Sequence, residues 1–292
     1  MQETIQKQDV PIRRSLRALG SRLLPRVDGL ALLDHLTPHY GYSCRQDVAY
    51  GEGGHETLDL YEPEGSNGQH PTVVFLHGGR WSFGDKRSYR FVGHAFAAAG
   101  IATAIVRYRL WPDTRFPGFV EDAARAFAFL QNNQDAFGLN GDPLFLAGHS
   151  AGAHIAALLA TDTPWLAEAG GKRSQIAGAI GIAGPYDFLP IVDDDLLEIF
   201  GQTEDHPRSQ PVLHVDGNEP RMLLLHGRRD RTVAPRNSAR LARAINTRGG
   251  NARLITYPNL DHTRILGALS NRVGKWFGPV MDDILGFIQE KP

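Results

Sequence analysis

A serine hydroxyl attacks a carbonyl carbon only if a base removes its proton as the bond forms. Gly148-His149-Ser150-Ala151-Gly152 offers such a hydroxyl. The pentapeptide follows an apolar run, Pro143-Leu144-Phe145-Leu146-Ala147, and precedes an Ala-rich run, 153–160, that predicts a helix. Strand, Gly-x-Ser-x-Gly and helix in that order make a nucleophile elbow. So tight a turn tolerates only small side chains beside it, hence a glycine at each end. The N-terminus of the following helix favours the negative charge that develops there. The base, and the acid that orients it, are expected downstream in the order acid then histidine. Asp230 fits the acid: it lies past the strand signal 222–225 and before Val233-Ala234-Pro235, which opens a helix. His262 fits the base: it follows Tyr257-Pro258-Asn259-Leu260-Asp261, and of the 12 histidines it alone lies beyond Asp230. Asp187 is the competing acid, whereas Asp261 immediately precedes the histidine and is disfavoured. His226 reads as a strand-end residue, and His154, one helical turn past Ser150, as a local packing or hydrogen-bonding residue.

Attack on a carbonyl also puts a full negative charge on its oxygen. Fixed N–H donors there lower the barrier by roughly 3–4 kcal/mol each. One expected donor is the amide of Ala151, directly after the nucleophile. The others are Gly78 and Gly79 of His77-Gly78-Gly79-Arg80-Trp81, which follows the apolar run Thr72–Leu76. Glycines let the backbone approach the oxyanion with no side chain in the way. Arg80, Trp81 and His149 flank these donors and are the candidate substrate contacts.

Strand and helix signals alternate over more than 200 residues and would position these groups. Leu58-Asp59-Leu60-Tyr61 alternates at period two, and 72–76 is a continuous apolar run suited to a strand buried on both faces. Further strands are expected at 101–106, 176–182, 222–225 and 252–257, with helices at 88–99, 119–130, 239–245 and 280–288. This alternation implies an α/β fold with a mostly parallel central sheet and helices on both faces. Sites in such sheets lie at the carboxyl ends of the strands. Residues 1–45 form an expected N-terminal helical arm, possible cap of the site, and 46–292 the catalytic domain. Within the arm, Ile12, Leu16, Leu19 and Leu23 recur at helical spacing among Arg13, Arg14, Arg17 and Arg22. A helix packed over the domain is favoured over one lying on a membrane surface. Between Asp187 and Pro220 the periodicity fails, and the stretch is read as a lid or as a long surface loop.

The bulk composition excludes several functions. The chain has 292 residues, 42% of them hydrophobic, and a formal net charge of −1, so no global field draws nucleic acid or anionic lipid. The single cysteine, Cys44, excludes an internal disulfide framework and has no thiol motif around it. No His-Glu-x-x-His and no carboxylate–histidine cluster at ligand spacing suggests a metal. No run approaches the ~18 apolar residues of a membrane span. The first ten residues are polar, and a cytoplasmic location is expected.

Taken together, these motifs resemble the α/β-hydrolase superfamily, and within it bacterial carboxylesterases of the hormone-sensitive-lipase and arylformamidase-like (BD-FAE-like) type. The resemblance spans about 47–288. It is carried by Leu58-Asp59-Leu60-Tyr61, His77-Gly78-Gly79-Arg80-Trp81, Tyr108-Arg109-Leu110, the Ser150 pentapeptide and the Asp230 and His262 segments. It implies hydrolysis of a small-molecule ester or amide through an acyl-enzyme, without a cofactor. Short- to medium-chain carboxylic esters are the expected substrates, and N-formylkynurenine, an aryl formamide, is the alternative. A non-catalytic binding protein on the same scaffold is disfavoured, because serine, acid and histidine all stand here. A peptidase is disfavoured because no propeller-like domain is appended.

Overall fold

The computed structural model describes residues 29–65, 70–139, 143–201 and 203–290. Most of the expected arm helix, 11–28, lies outside the described residues. Eight strands form one sheet: β1 (Tyr42–Ala49), β2 (Thr57–Pro63), β3 (Thr72–Leu76), β4 (Ala102–Val106), β5 (Leu144–His149), β6 (Ile176–Ile182), β7 (Met222–Gly227) and β8 (Ala252–Tyr257). The helices are α1 (Gly29–Leu36), α2 (Arg90–Ala97), α3 (Gly118–Asn132), α4 (Ala151–Thr161), α5 (Thr163–Glu168), α6 (Asp194–Phe200), α7 (Arg236–Thr247), α8 (Arg264–Gly267) and α9 (Val280–Gln289).

The strand order is β1-β2-β4-β3-β5-β6-β7-β8. β2 runs antiparallel to both its neighbours, and β3 to β8 are all parallel. The chain therefore winds outward in one direction from β3 to β4 and in the other from β5 to β8. Between β3 and β5 it reverses, and the loops leaving those two strands diverge around a crevice. The loop after β3 carries Gly78 and Gly79, and the turn after β5 carries Ser150. The fold is thus the expected α/β-hydrolase arrangement, with β1 added at the edge. β1 was not legible, because Tyr42-Ser43-Cys44-Arg45-Gln46-Asp47-Val48-Ala49 is polar and mostly exposed. It also crosses the expected boundary between 45 and 46.

The central strands need no alternation, because both faces are covered. Val74 and Leu76 of β3 join one apolar cluster with α3 and α4, while Val73 and Phe75 join the other with α2 and α9. All five residues of β3 and all six of β5 are buried. Each large apolar side chain so buried contributes roughly 1.5–3 kcal/mol, so the two faces hold the sheet far more firmly than any surface pair. At the edge, the end of α1 is tied down by Arg90, whose Nη1 donates to the carbonyls of Thr37 (3.0 Å) and Pro38 (3.2 Å). No described residue of the arm lines the crevice. Among the described residues no helix is long and apolar enough to cross a membrane.

Candidate active site

The turn after β5 has the strain expected of an elbow. Ser150 takes φ 54° and ψ −117°, a left-handed conformation that costs a non-glycine residue energy. The flanking glycines are required by contact rather than by φ. A methyl group on Gly148 would overlap the backbone of Gly152, and one on Gly152 would overlap the carbonyl oxygens of Leu76 and His77. The elbow is thus wedged against the end of β3.

His262 Nε2 lies 2.9 Å from Ser150 Oγ, and its Nδ1 lies 2.7 Å from Asp230 Oδ2. Nδ1 carries the proton it donates to Asp230, so Nε2 accepts from the serine hydroxyl. The structure therefore brings Ser150, Asp230 and His262 together. The competing acids go elsewhere. Asp187 pairs with Arg240 at 2.7 Å, and Asp261 accepts from the amides of Thr263 and Arg264. Asp230 is held on both oxygens: Oδ1 accepts from the amides of Thr232 and Val233, both at 2.9 Å. Burial alone would raise the Asp230 carboxyl, but hydrogen bonds from His226 and His262 outweigh it and hold the group far below the usual carboxylate range. It stays ionised, as an orienting anion must.

His226 is the partner that the sequence did not disclose. It is fully buried in β7, with Nε2 3.3 Å from Asp230 Oδ2 and 3.0 Å from the Val233 carbonyl. Its Nδ1 meets Ser238 Oγ at 2.7 Å. Nε2–H thus donates to the Asp230 loop while Nδ1 accepts from the serine. The strand-end reading of His226 holds, but the residue also braces the acid. Its position four residues before Asp230 was the only available signal.

The loop after β3 departs from expectation at one donor. The amide of Gly78 donates to Tyr89 Oη at 3.0 Å, and the Gly78 carbonyl accepts from His77 Nδ1 at 2.8 Å. Gly78 is therefore committed to its own loop and does not serve as an oxyanion donor. It is a glycine because an added methyl would stand 2.8 Å from His149 Nδ1 and 3.3 Å from Ser150 Cβ. The amides of Gly79, Arg80 and Ala151 have no acceptor among the described residues. Arg80 (φ 51°) and Trp81 (φ 57°) are both left-handed, a strained turn that no glycine at these positions announced. Beneath the loop, His77 stacks on Tyr108 with ring centres 4.3 Å apart, and burial lowers its pKa to about 4.

The three candidate substrate contacts line the crevice, each with a second task. Arg80 donates to Asp195 (2.8 and 2.9 Å) and to Asp193 (3.1 Å), which fastens it to the 187–220 excursion. Trp81 is 4% exposed; its Nε1–H donates to His154 Nδ1 at 3.2 Å, and its ring packs on Phe188 and Phe200. His149 donates from Nε2 to the His262 carbonyl at 3.0 Å, and burial, then the neighbouring His262, lowers its pKa to about 3. It remains neutral and fixes the backbone that carries His262. His154 is not a local residue as expected. Its Nε2 donates to the Ser209 carbonyl at 2.7 Å, and burial lowers its pKa to about 4.

These residues surround a cavity of about 1130 Å³. The excursion supplies much of its wall, including Phe188, Ile191 and Leu196, and α6 packs Phe200 against Trp81 and Phe119. Elsewhere the fold gathers His55, Glu56 and Asp122, a cluster that linear spacing did not show. Its carboxylates are already taken: Asp122 by Arg109 and Arg125, Glu56 by Arg125 and the Gly53 amide. Two guanidiniums against two carboxylates leave no net charge to attract a dication. Cys44 is inert as a nucleophile, since burial and then Asp59 push its thiol up to about 11.

A nucleophile elbow at the reversal of a parallel sheet, with an aspartate and a histidine from the last two strand ends, defines an α/β-hydrolase. The sequence model of the BD-FAE family matches residues 58–245, and the chain belongs to that family. An isoprenylcysteine alpha-carbonyl methylesterase of Arabidopsis thaliana is 31% identical over 270 residues, covering 85% of this chain and 63% of that protein. A kynurenine formamidase of Salmo salar is 30% identical over 231 residues, covering 76% of each chain. Esterase B of Lactobacillus rhamnosis superposes with a TM-score of 0.73 over 89% of this chain and 91% of that one, and at 21% identity this speaks to the fold. The chain spans 57–63% of the length of the methylesterases it matches.

Proposed function

We propose that this chain is a serine carboxylesterase acting on short- to medium-chain esters through an acyl-enzyme. One observation carries the reading: a single imidazole bridges Ser150 Oγ (2.9 Å) and an ionised, buried carboxylate (2.7 Å). His262 Nε2 takes the hydroxyl proton as Oγ attacks the ester carbonyl. Asp230 holds the imidazole in the tautomer that can accept and stabilises the imidazolium that forms. The carbonyl oxygen, now an anion, is received by the free amides of Gly79 and Ala151, with Arg80 as a third. His262 then gives its proton to the leaving alcohol. Water enters, loses a proton to the same nitrogen, and releases the acid from Ser150.

The likeness to the kynurenine formamidase favours a second reading, hydrolysis of an aryl formamide by the same residues. The test is a panel of p-nitrophenyl esters of increasing acyl length with N-formylkynurenine alongside. Ester rates above formamide rates support the esterase, and the reverse order selects the formamidase. Ser150→Ala should abolish both turnover and labelling by a fluorophosphonate. Near-normal turnover in folded Ser150→Ala protein overturns the proposal.

A further inference from the structure

The charged side chains of the cavity are not all paired. Four carboxylates line the cavity, and each already has a cationic or imidazole partner: Asp85 with Arg87, Asp187 with Arg240, Asp193 with Arg80, Asp230 with His262. Four arginines line it as well. Arg80 and Arg240 belong to those pairs, whereas Arg231 and Arg236 have no carboxylate partner among the described residues. The lining thus carries as many arginines as aspartates, but Arg231 and Arg236 are not held in ion pairs. They stand close in sequence, Arg231 beside Asp230 and Arg236 as the first residue of α7. Helix stability does not account for Arg236, since a cation in the first turn opposes the helix dipole. The excursion lines the cavity with Phe188, Leu189, Ile191, Val192 and Leu196 beside the paired Asp187 and Asp193.

Resting on the proposed hydrolysis, we propose that Arg231 and Arg236 form an anion-recognition subsite for the alcohol portion of the ester. A bound ester must present its leaving oxygen to His262 Nε2 and its carbonyl oxygen to the amides of Gly79 and Ala151. On this proposal the alcohol portion lies against the Asp230 loop and α7, which carry the two arginines. The acyl portion is then assigned to the apolar residues of the excursion. A carboxylate or similar oxyacid on the alcohol would satisfy guanidinium groups that otherwise face only solvent. The substrate class is therefore an ester of an apolar acid with an anionic alcohol or phenol.

The test compares 4-acetoxybenzoate with uncharged 4-acetoxybenzamide, each rate divided by that ester's own rate with hydroxide. Both yield acetate and a phenol, and only the first phenol carries a carboxylate. The corrected kcat/KM of the anionic ester should exceed that of the amide by about tenfold, the worth of a charge-assisted contact. The preference should shrink with added salt. The double variant R231Q/R236Q should bring the two esters to parity while leaving the uncharged ester unchanged, which also reports that the variant is folded. Parity in the unmodified protein, or a preference that survives the double substitution, overturns the subsite. Failure of the hydrolase reading shows separately, as no cleavage of either ester and no fluorophosphonate labelling. In that event binding of 4-hydroxybenzoate against 4-hydroxybenzamide, followed by NMR, decides the subsite alone. Arginine-dependent preference for the carboxylate supports it, and its absence refutes it.

Discussion

Lowering the pH from 7 to 5 should destabilise this protein steeply, because three imidazoles are locked inside in their neutral form. His77 and His154 have folded pKa values of about 4, and His149 about 3, all lowered by burial. An unfolded histidine titrates near ~6.5. Between these values the unfolded chain binds protons that the folded chain refuses, so stability falls as pH falls. The loss starts near the unfolded value and is complete only below the folded ones. For each residue the change from pH 7 to pH 5 amounts to about 2 kcal/mol, or roughly 6 kcal/mol for the three. That is comparable with the whole stability of many domains, 5–15 kcal/mol as a rough range. Asp230 adds nothing in this window, since a carboxyl held below its ordinary value matters only as the pH falls under ~4. The measurement is urea unfolding followed by tryptophan fluorescence at half-unit pH steps. The slope of ΔG against pH should approach three protons near pH 5. A flat profile from pH 7 to 5, or a slope below one proton, would refute the burial argument.

Other outcomes follow from single contacts. Asp230→Asn keeps the shape of the site but exchanges the acceptor at His262 Nδ1 for a group that can present N–H, so kcat should drop by about 10⁴ with little change in KM; a drop below tenfold in ester assays would count against the assignment. His226→Leu removes a donor from Asp230 Oδ2 without touching substrate. It should lower kcat by roughly tenfold at constant KM, the scale of one charge-assisted hydrogen bond, and an unchanged kcat would show that His226 only fills space. Gly152→Ala drives a methyl into the Leu76 and His77 carbonyls, which are backbone and cannot yield. Loss of soluble protein, or a fall in stability of about 1–3 kcal/mol by thermal melting, is expected, and an unperturbed melt would contradict the wedged elbow.

The sequence disclosed what periodicity and chain order encode. Thr72–Leu76, Ile176–Ile182 and Ala252–Tyr257 were read with the bounds they have, because apolar runs between turn residues mark buried strands well. Ser150, Asp230 and His262 were legible because the order of the three groups follows from the winding of the sheet. What escaped were pairings across distance. β1 is polar at an edge and has no signal of its own. The Gly78 amide is turned from the crevice by Tyr89, eleven residues on, and nothing in either residue type announces that bond. His154 bonds to Trp81 and Ser209, contacts set by how the excursion folds back. The excursion itself was visible only as a failure of period. Its helix α6 is short, and Phe200 acquires meaning only against Trp81 and Phe119.

The bond from His154 to the Ser209 carbonyl has a mechanical consequence. His154 stands on the helix whose first residue follows the nucleophile, and Ser209 belongs to the 187–220 excursion. Both ring nitrogens are occupied, one by the excursion and one by Trp81 of the loop after β3. The excursion, the helix after the nucleophile and the loop after β3 are therefore joined through one imidazole. The excursion cannot move away from the helix without breaking the bond to Ser209. Prising the three segments apart therefore forfeits two hydrogen bonds at once, each worth about 1 kcal/mol.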